Sequence, residues 1–274
     1  MSTRRVEVGG ETLHFDHGAQ YFTARDPEFV AVVNHWLETA NASRWKSAGD
    51  DAFVGDPSMS APLEALSIGL DVTFSMHVHS LERRENAWAV LGDGWEEAGF
   101  EALVIALPAE QAVPLLEPHD QNFAKIARST PSEPCWTIMV RFTESFDHPD
   151  TLRDAGAIGW AARNSAKPGR GGRECWVVQA NPDWSRAHLE ADANTAATAL
   201  LAAFGEAAGR DLPAHDHLAA HRWRFARSGA ADRDYLWNDR LRIGACGDWL
   251  LGPRVENAFL SGSRLGARIR SDLE

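Results

Sequence analysis

The chain has 274 residues, with 27 Lys plus Arg against 39 Asp plus Glu, a formal charge of −12. That balance excludes a protein built to neutralise phosphate backbones, and it disfavours an anionic membrane surface. Apolar residues make up 44% and charged residues 24%, the composition of a globular protein whose core needs no disulfide or metal staple. Three scattered cysteines (Cys135, Cys175, Cys246) form no CxxC pair, so neither a disulfide framework nor a zinc ribbon is expected, and reduced thiols fit a cytosol. The N-terminus lacks the apolar stretch of a signal peptide, and the longest apolar run, Ala102 to Leu107, is far short of the ~20 residues of a membrane span. A cytoplasmic protein is expected.

In chain order, Phe29, Val32, Val33, Trp36 and Leu37 fall on one helical stripe, with Asp26 as N-cap and Pro27 at the first helical position. A second helix is expected from Ser60 to about Gly69, with Leu63 and Leu66 turned inward. The period then becomes two. Val72, Phe74, Met76 and Val78 alternate with Thr73, Ser75, His77 and His79, as in a strand with one buried face. Residues 88–91, the turn Gly92-Asp-Gly94 and residues 101–108 continue a small meander. Residues 135–142, 174–180 and 218–225 are further strands, and an Ala-rich helix spans 192–208, stopped by Gly209. Residues 167–173, rich in Gly, read as a mobile connector. A last strand at 241–245 meets Cys246-Gly-Asp248, and a last helix runs from about Val255 to Arg270. Strands and helices mix without strict alternation, so the fold class is α/β, mixed α+β, with a sizeable antiparallel sheet.

Several chemistries lack support. Neither Gly92-Asp-Gly94 nor Gly169-Arg-Gly-Gly172 sits between a strand and a helix N-terminus, as a phosphate cradle requires, and no GxGxxG occurs. His215, His217 and His221 could share a metal only on a helix, and their surroundings read as a strand; no metal site is expected. Cys246 has no adjacent cation to hold a thiolate, and no GxSxG elbow exists.

The two ends are more informative. Residues 15–23 place small residues beside amide and aromatic groups. Residues 243–262 read as a strand, a Gly-Asp turn, a linker and a helix start. That order puts Asp248 at a strand end, able to accept hydrogen bonds from hydroxyls, and aims the amides near Val255 to Asn257 at an electron-rich group. A plain strand–loop–helix junction is the other reading of the same residues.

At these residues the sequence resembles the renalase-like branch of the FAD-dependent amine oxidase superfamily. Ser2-Thr-Arg-Arg5 resembles the end of that family's Gly-Gly-Arg-Met-Ser/Ala-Thr-Arg-Arg segment. Asp16-His-Gly-Ala-Gln-Tyr-Phe-Thr23 resembles the stretch passing the isoalloxazine, and residues 69–78 the strand that meets the adenine. Asp183-Trp-Ser and His221-Arg-Trp-Arg-Phe-Ala resemble the substrate half. Gly247-Asp-Trp and Arg254-Val-Glu-Asn-Ala-Phe-Leu-Ser-Gly262 look like the C-terminal flavin motif.

The resemblance implies a Rossmann-like FAD-binding domain lacking its first strand, GxGxxG turn and helix. This domain would be formed by 1–80, 95–118 and 240–274, with an antiparallel-sheet substrate domain at 119–239. It implies FAD held by Thr3, Arg4, Gly18, Ala19, Gln20, Val78, Gly247, Asp248, Arg254, Val255, Glu256, Asn257 and Ala258. Gln20 and Tyr21 would shape the catalytic pocket, and Trp160, Trp176 and Trp223 are candidate walls on the substrate side, with core packing as their alternative. The implied activity is hydride transfer from a dihydronicotinamide dinucleotide isomer to flavin and then to O2. A shortened chain that binds no FAD, and an amine oxidase proper, are the two alternatives. The sequence leaves the oligomeric state open.

Overall fold

The structure, a computed structural model, describes residues 1–274. Its elements in chain order are β1 (Arg4–Val8), β2 (Glu11–Phe15), α1 (Pro27–Glu38), β3 (Ala42–Arg44), β4 (Phe53–Gly55), α2 (Ala61–Ser67), β5 (Val78–Arg84), β6 (Ala87–Gly92), β7 (Trp95–Phe100) and β8 (Leu103–Ile105). Then follow α3 (Ala109–Leu116), α4 (Gln121–Arg128), β9 (Glu133–Phe142), β10 (Thr151–Ala155), β11 (Ile158–Arg163), β12 (Cys175–Ala180), α5 (Pro182–Ala187) and α6 (Ala193–Ala208). The chain ends with β13 (His215–Arg227), β14 (Leu236–Asn238), β15 (Ile243–Ala245), α7 (Asp248–Leu251) and α8 (Val255–Leu273). The class is mixed α/β with antiparallel sheets. No helix is long and apolar enough to cross a membrane.

The chain divides into two compact units, residues 1–68 with 133–226, and residues 69–132 with 227–274. This partition differs from the expected one. Residues 1–68 join the large antiparallel sheet, because the β1–β2 hairpin and the segment after it pack on that sheet through Phe15, Met139, Cys175 and Val177.

In the first unit the sheet order is β10-β11-β12-β9-β13. One face carries Trp136, Ile138, Val140, Trp176 and Val178 against Ala196, Leu200 and Phe204 of α6. α6 forms where the Ala-rich run predicts it. The Asp192 carboxylate caps the Asn194 and Thr195 amides, and Gly209 ends the helix in the left-handed region at φ 65°. A register shift between Ile158 and Trp160 in β11 is a bulge. It lets Ile158 face the α6 core while Trp160 meets the ring of Tyr21 at 5.2 Å. α1 is capped by Asp26 and buries Phe29, Val33 and Trp36, as its stripe predicts.

In the second unit β5-β6-β7 form a meander, and β14-β15-β8 a small sheet in which β15 and β8 run parallel. Trp88, Ile105, Leu116, Ile243, Trp249 and Leu250 make its core with the α3–α4 pair.

Two expectations are corrected. Leu63 and Leu66 are 44% and 46% exposed, and α2 instead buries Ala61 and Pro62. The alternation at 72–78 forms no ladder. β5 begins only at Val78, and Phe74 is 82% exposed, because no strand lies beside the segment to pair with its backbone.

Candidate active site

In the first unit, β2 ends at Phe15 and delivers Asp16 into a fully buried position. Its Oδ1 accepts from the Thr3 hydroxyl at 2.7 Å and from the Met59 amide at 3.1 Å. Its Oδ2 accepts from Lys167 Nζ at 3.3 Å and from Arg170 Nε and Nη2 at 3.0 and 2.7 Å. Burial alone would raise this carboxyl, but the two cations and the two uncharged donors outweigh it and hold Asp16 below the ordinary value. Lys167 is 0% exposed and the Arg170 side chain 1%. The loop expected to be a mobile connector is thus anchored by two buried cations. The exposed glycines and Arg173 fit a connector, but Lys167 and Arg170 are turned inward.

Gln20 is buried beside this cluster. Its Oε1 accepts from Lys167 Nζ at 3.2 Å, while its Nε2 donates to the Gly18 carbonyl at 3.1 Å and also to the Asp16 carbonyl. Gly18 O also accepts from Gln179 of β12 at 2.9 Å. With both N–H bonds committed to backbone, Gln20 holds the Asp16–Gly18 turn rather than offering a donor to a reacting atom. A Cβ at Gly18 would lie 3.2 Å from Ser2 N, so the two backbone segments approach closely. Ala19 is half-buried. The Tyr21 ring meets that of Trp160 at a 40° tilt, and Arg153 lies 5.5 Å above the Tyr21 ring and 4.4 Å from that of Trp160.

A second cluster adjoins it. Arg4 Nη2 lies 3.1 Å from His221 Nδ1. Because guanidinium only donates, Nδ1 accepts and His221 presents Nε2–H. The His17 ring meets His221 and Trp223 at 5.1 Å each, and its backbone oxygen accepts from Trp223 Nε1 at 2.9 Å. Burial, with His221 and Arg4 adding, lowers His17 to about 4. His17 is therefore neutral at physiological pH. His215, His217 and His221 lie on strand β13, as their surroundings predict. Of the three tryptophans expected as walls, Trp160 and Trp223 border these clusters. Trp176 does not: it is 0% exposed in the α6 core on the opposite sheet face.

In the second unit, β15 ends at Ala245, and two residues on the Gly247 amide donates to Ser261 Oγ at 3.1 Å. Gly is required there, since a Cβ at 247 would lie 2.8 Å from Trp249 Cδ1. Asp248 opens α7. Burial raises its carboxyl, with the Trp249 backbone amide opposing. Asn257 Nδ2 donates to the Leu251 and Gly252 carbonyls at 3.0 Å each, fixing the linker. No side chain caps α8 at Arg254, whose guanidinium instead pairs with the buried Glu256. Val255 is half-buried and Ala258 exposed, its amide bonded to Arg254 O at 3.1 Å. Val78 starts β5 and packs on the Trp88 core. Cys246 is buried, its thiol raised by that burial.

The expected cofactor residues therefore divide between the units. Thr3, Arg4, Gly18, Ala19 and Gln20 lie in the first; Val78, Gly247, Asp248 and Arg254 to Ala258 lie in the second. Lys167, Arg170 and His17 are the residues that sequence reasoning missed. The signals that could have found them were an Asp between Phe15 and Gly18, and two cations in a glycine loop.

No protein-family model matches the chain. Among solved structures, a protein from Exiguobacterium sp. 255-15 provisionally assigned as a protoporphyrinogen oxidase is similar in fold. Its TM-score is 0.63 at 14% identity, over 89% of this chain and 58% of that one. Cyclohexylamine oxidase from Brevibacterium oxydans IH-35A gives a TM-score of 0.61 at 16% identity, over 82% of this chain and 55% of its own. The chain thus spans less than two thirds of either neighbour. At these identities the likeness establishes the fold alone.

Proposed function

We propose that the chain is a flavin oxidoreductase of the renalase-like kind, taking hydride from a dihydronicotinamide-type donor, and that FAD is its cofactor. The observation that carries this reading is the junction after β15. There the parallel strands β8 and β15 end at Ile105 and Ala245, α7 opens at Asp248, and the 19-residue α8, without a side-chain cap, follows it. Ligands of open α/β sheets bind beyond the carboxyl ends of parallel strands, and an uncapped helix mouth favours negative charge. The fold shared with two oxidases, and the motifs at both ends of the chain, support the same reading.

The residues fit the ring end of a flavin better than its pyrophosphate, since no GxGxxG exists in the sequence. Flavin supplies hydride acceptance and reoxidation by O2. The protein's part is positional. The α8 mouth at Val255 to Asn257 would stabilise negative charge, and Asp248 would accept hydrogen bonds from hydroxyls. The Gly18–Tyr21 turn, held by Gln20 and Lys167, would present backbone and the Tyr21 ring. A donor already carrying a transferable hydride needs no strong side-chain base, and the neutral His17 and the engaged Gln20 supply none.

Without a GxGxxG turn to cradle the pyrophosphate, weak FAD binding by these 274 residues is expected. Equilibrium dialysis with FAD, followed by anaerobic addition of dihydronicotinamide isomers or of amines, tests the reading. Bleaching of bound flavin by the former alone is expected; bleaching by amines alone would point to an amine oxidase.

A further inference from the structure

Lys167 lies in a loop, yet it is the most completely enclosed cation of the first unit, at 0% exposure. We propose that Lys167 is a positioning residue for the Gln20–Tyr21 dipeptide: one ammonium donates to Asp16 Oδ2 at 3.3 Å and to Gln20 Oε1 at 3.2 Å, and so fixes the amide that clamps the Asp16 and Gly18 carbonyls.

The charged groups facing Lys167 are Asp16, at the end of β2, and Arg170 of its own loop. Gln20 and the Trp45 ring, 5.3 Å from Nζ, close the remaining sides. Two cations share one carboxylate, so with Lys167 protonated the buried cluster carries an excess positive charge. Burial lowers the Lys167 amine to about 8, with Arg170 adding to the effect and Asp16 opposing it. Losing that proton turns the bond to Gln20 Oε1 into a neutral one of roughly half the strength, while the bond to Asp16 keeps the carboxylate's charge. The grip on Gln20 then weakens while Arg170 still holds Asp16. The clamp therefore has a proton-dependent arm at Lys167 and a permanent one at Arg170.

This inference rests on the proposed function only for what Tyr21 would face; the clamp itself is testable without cofactor. The experiment follows the Gln20 side-chain NH2 resonances of the full chain by NMR across pH. The wild type is compared with Lys167→Met, while Gln20→Ala is used to read the titration of Lys167 Nζ. In the wild type the Gln20 resonances should move with a midpoint near about 8, and their hydrogen exchange, corrected for its intrinsic pH dependence, should quicken about tenfold above it. In Lys167→Met the midpoint should vanish and exchange should be fast throughout. In Gln20→Ala the Lys167 midpoint should fall, because an acceptor for the charged form is gone. Gln20 resonances indifferent to pH in the wild type, a midpoint persisting in Lys167→Met, or a Lys167 midpoint unmoved in Gln20→Ala would each overturn the proposal. The Gln20→Ala comparison decides the question even if Lys167→Met does not fold. None of these results depends on whether FAD binds.

Discussion

Arg170 and Asp16, 154 residues apart in sequence, meet through two hydrogen bonds of 3.0 and 2.7 Å to a single carboxylate oxygen, with neither side chain more than 1% exposed. The glycine-rich loop from residue 167 to 173 is thereby tied to the end of β2, the segment that leads into Gly18, Gln20 and Tyr21. A buried pair of this kind adds little net stability over an apolar substitute, but it is costly to break from one side.

Asp16→Asn should accordingly be severe. It leaves Lys167 and Arg170 buried without their counter-charge, and the loss should be about 3–5 kcal/mol of unfolding free energy. Urea denaturation of the variant against wild type measures it. A loss under about 1 kcal/mol would mean that water reaches the cluster.

Acid should unfold the protein partly through His17. Its folded value of about 4 lies below the ordinary 6.5, so the unfolded chain takes up the proton first. The contribution is fully present above the unfolded value and is lost as pH falls from 6.5 through about 4. The shift corresponds to roughly 3 kcal/mol. Stability measured by urea across that window should fall in the wild type and fall less steeply in His17→Gln. Parallel curves for the two proteins would refute the assignment.

Gly247→Ala puts a methyl 2.8 Å from Trp249 Cδ1. Trp249 is held in turn by its indole N–H on the Leu107 carbonyl at 3.1 Å. The rigid ring cannot swing aside cheaply, so a destabilisation of about 1–3 kcal/mol is expected, read as a lower Tm. An unchanged Tm would show that the junction after β15 relaxes freely.

Phe74→Ser should leave stability within about 0.5 kcal/mol, since the ring is 82% exposed and packs on no core cluster. A loss of several kcal/mol would restore the buried strand that the alternation suggests.

That alternation shows where sequence reading succeeds and fails here. α1 and α6 were legible because cap, period and stop signal are local: Asp26 and Asp192 bond amides two or three residues on, and Gly209 takes φ 65°. A strand needs a neighbour that its own residues do not encode, so Val72 to Met76 carried the pattern without the ladder. In the second unit β15 and α8 were legible, but α7 was not: it stands where a Gly-Asp turn and a linker were expected. The first-unit cluster was not, because the partners of Asp16 lie 151 and 154 residues away in a loop whose composition signals solvent. Trp176 and Trp160 look alike in sequence. The bulge in β11, set by pairing with β12, places Trp160 beside Tyr21 and leaves Trp176 in the α6 core.

The central proposal is that residues 18–21 and residues 247–258 each bind part of FAD. Titrating the isotopically labelled chain with FAD and following its backbone amides tests this directly, because weak binding still moves resonances. The account predicts saturable shifts confined to residues 18–21 and 247–258. Shifts absent from both stretches at saturating flavin, or scattered over the surface without saturation, would contradict it.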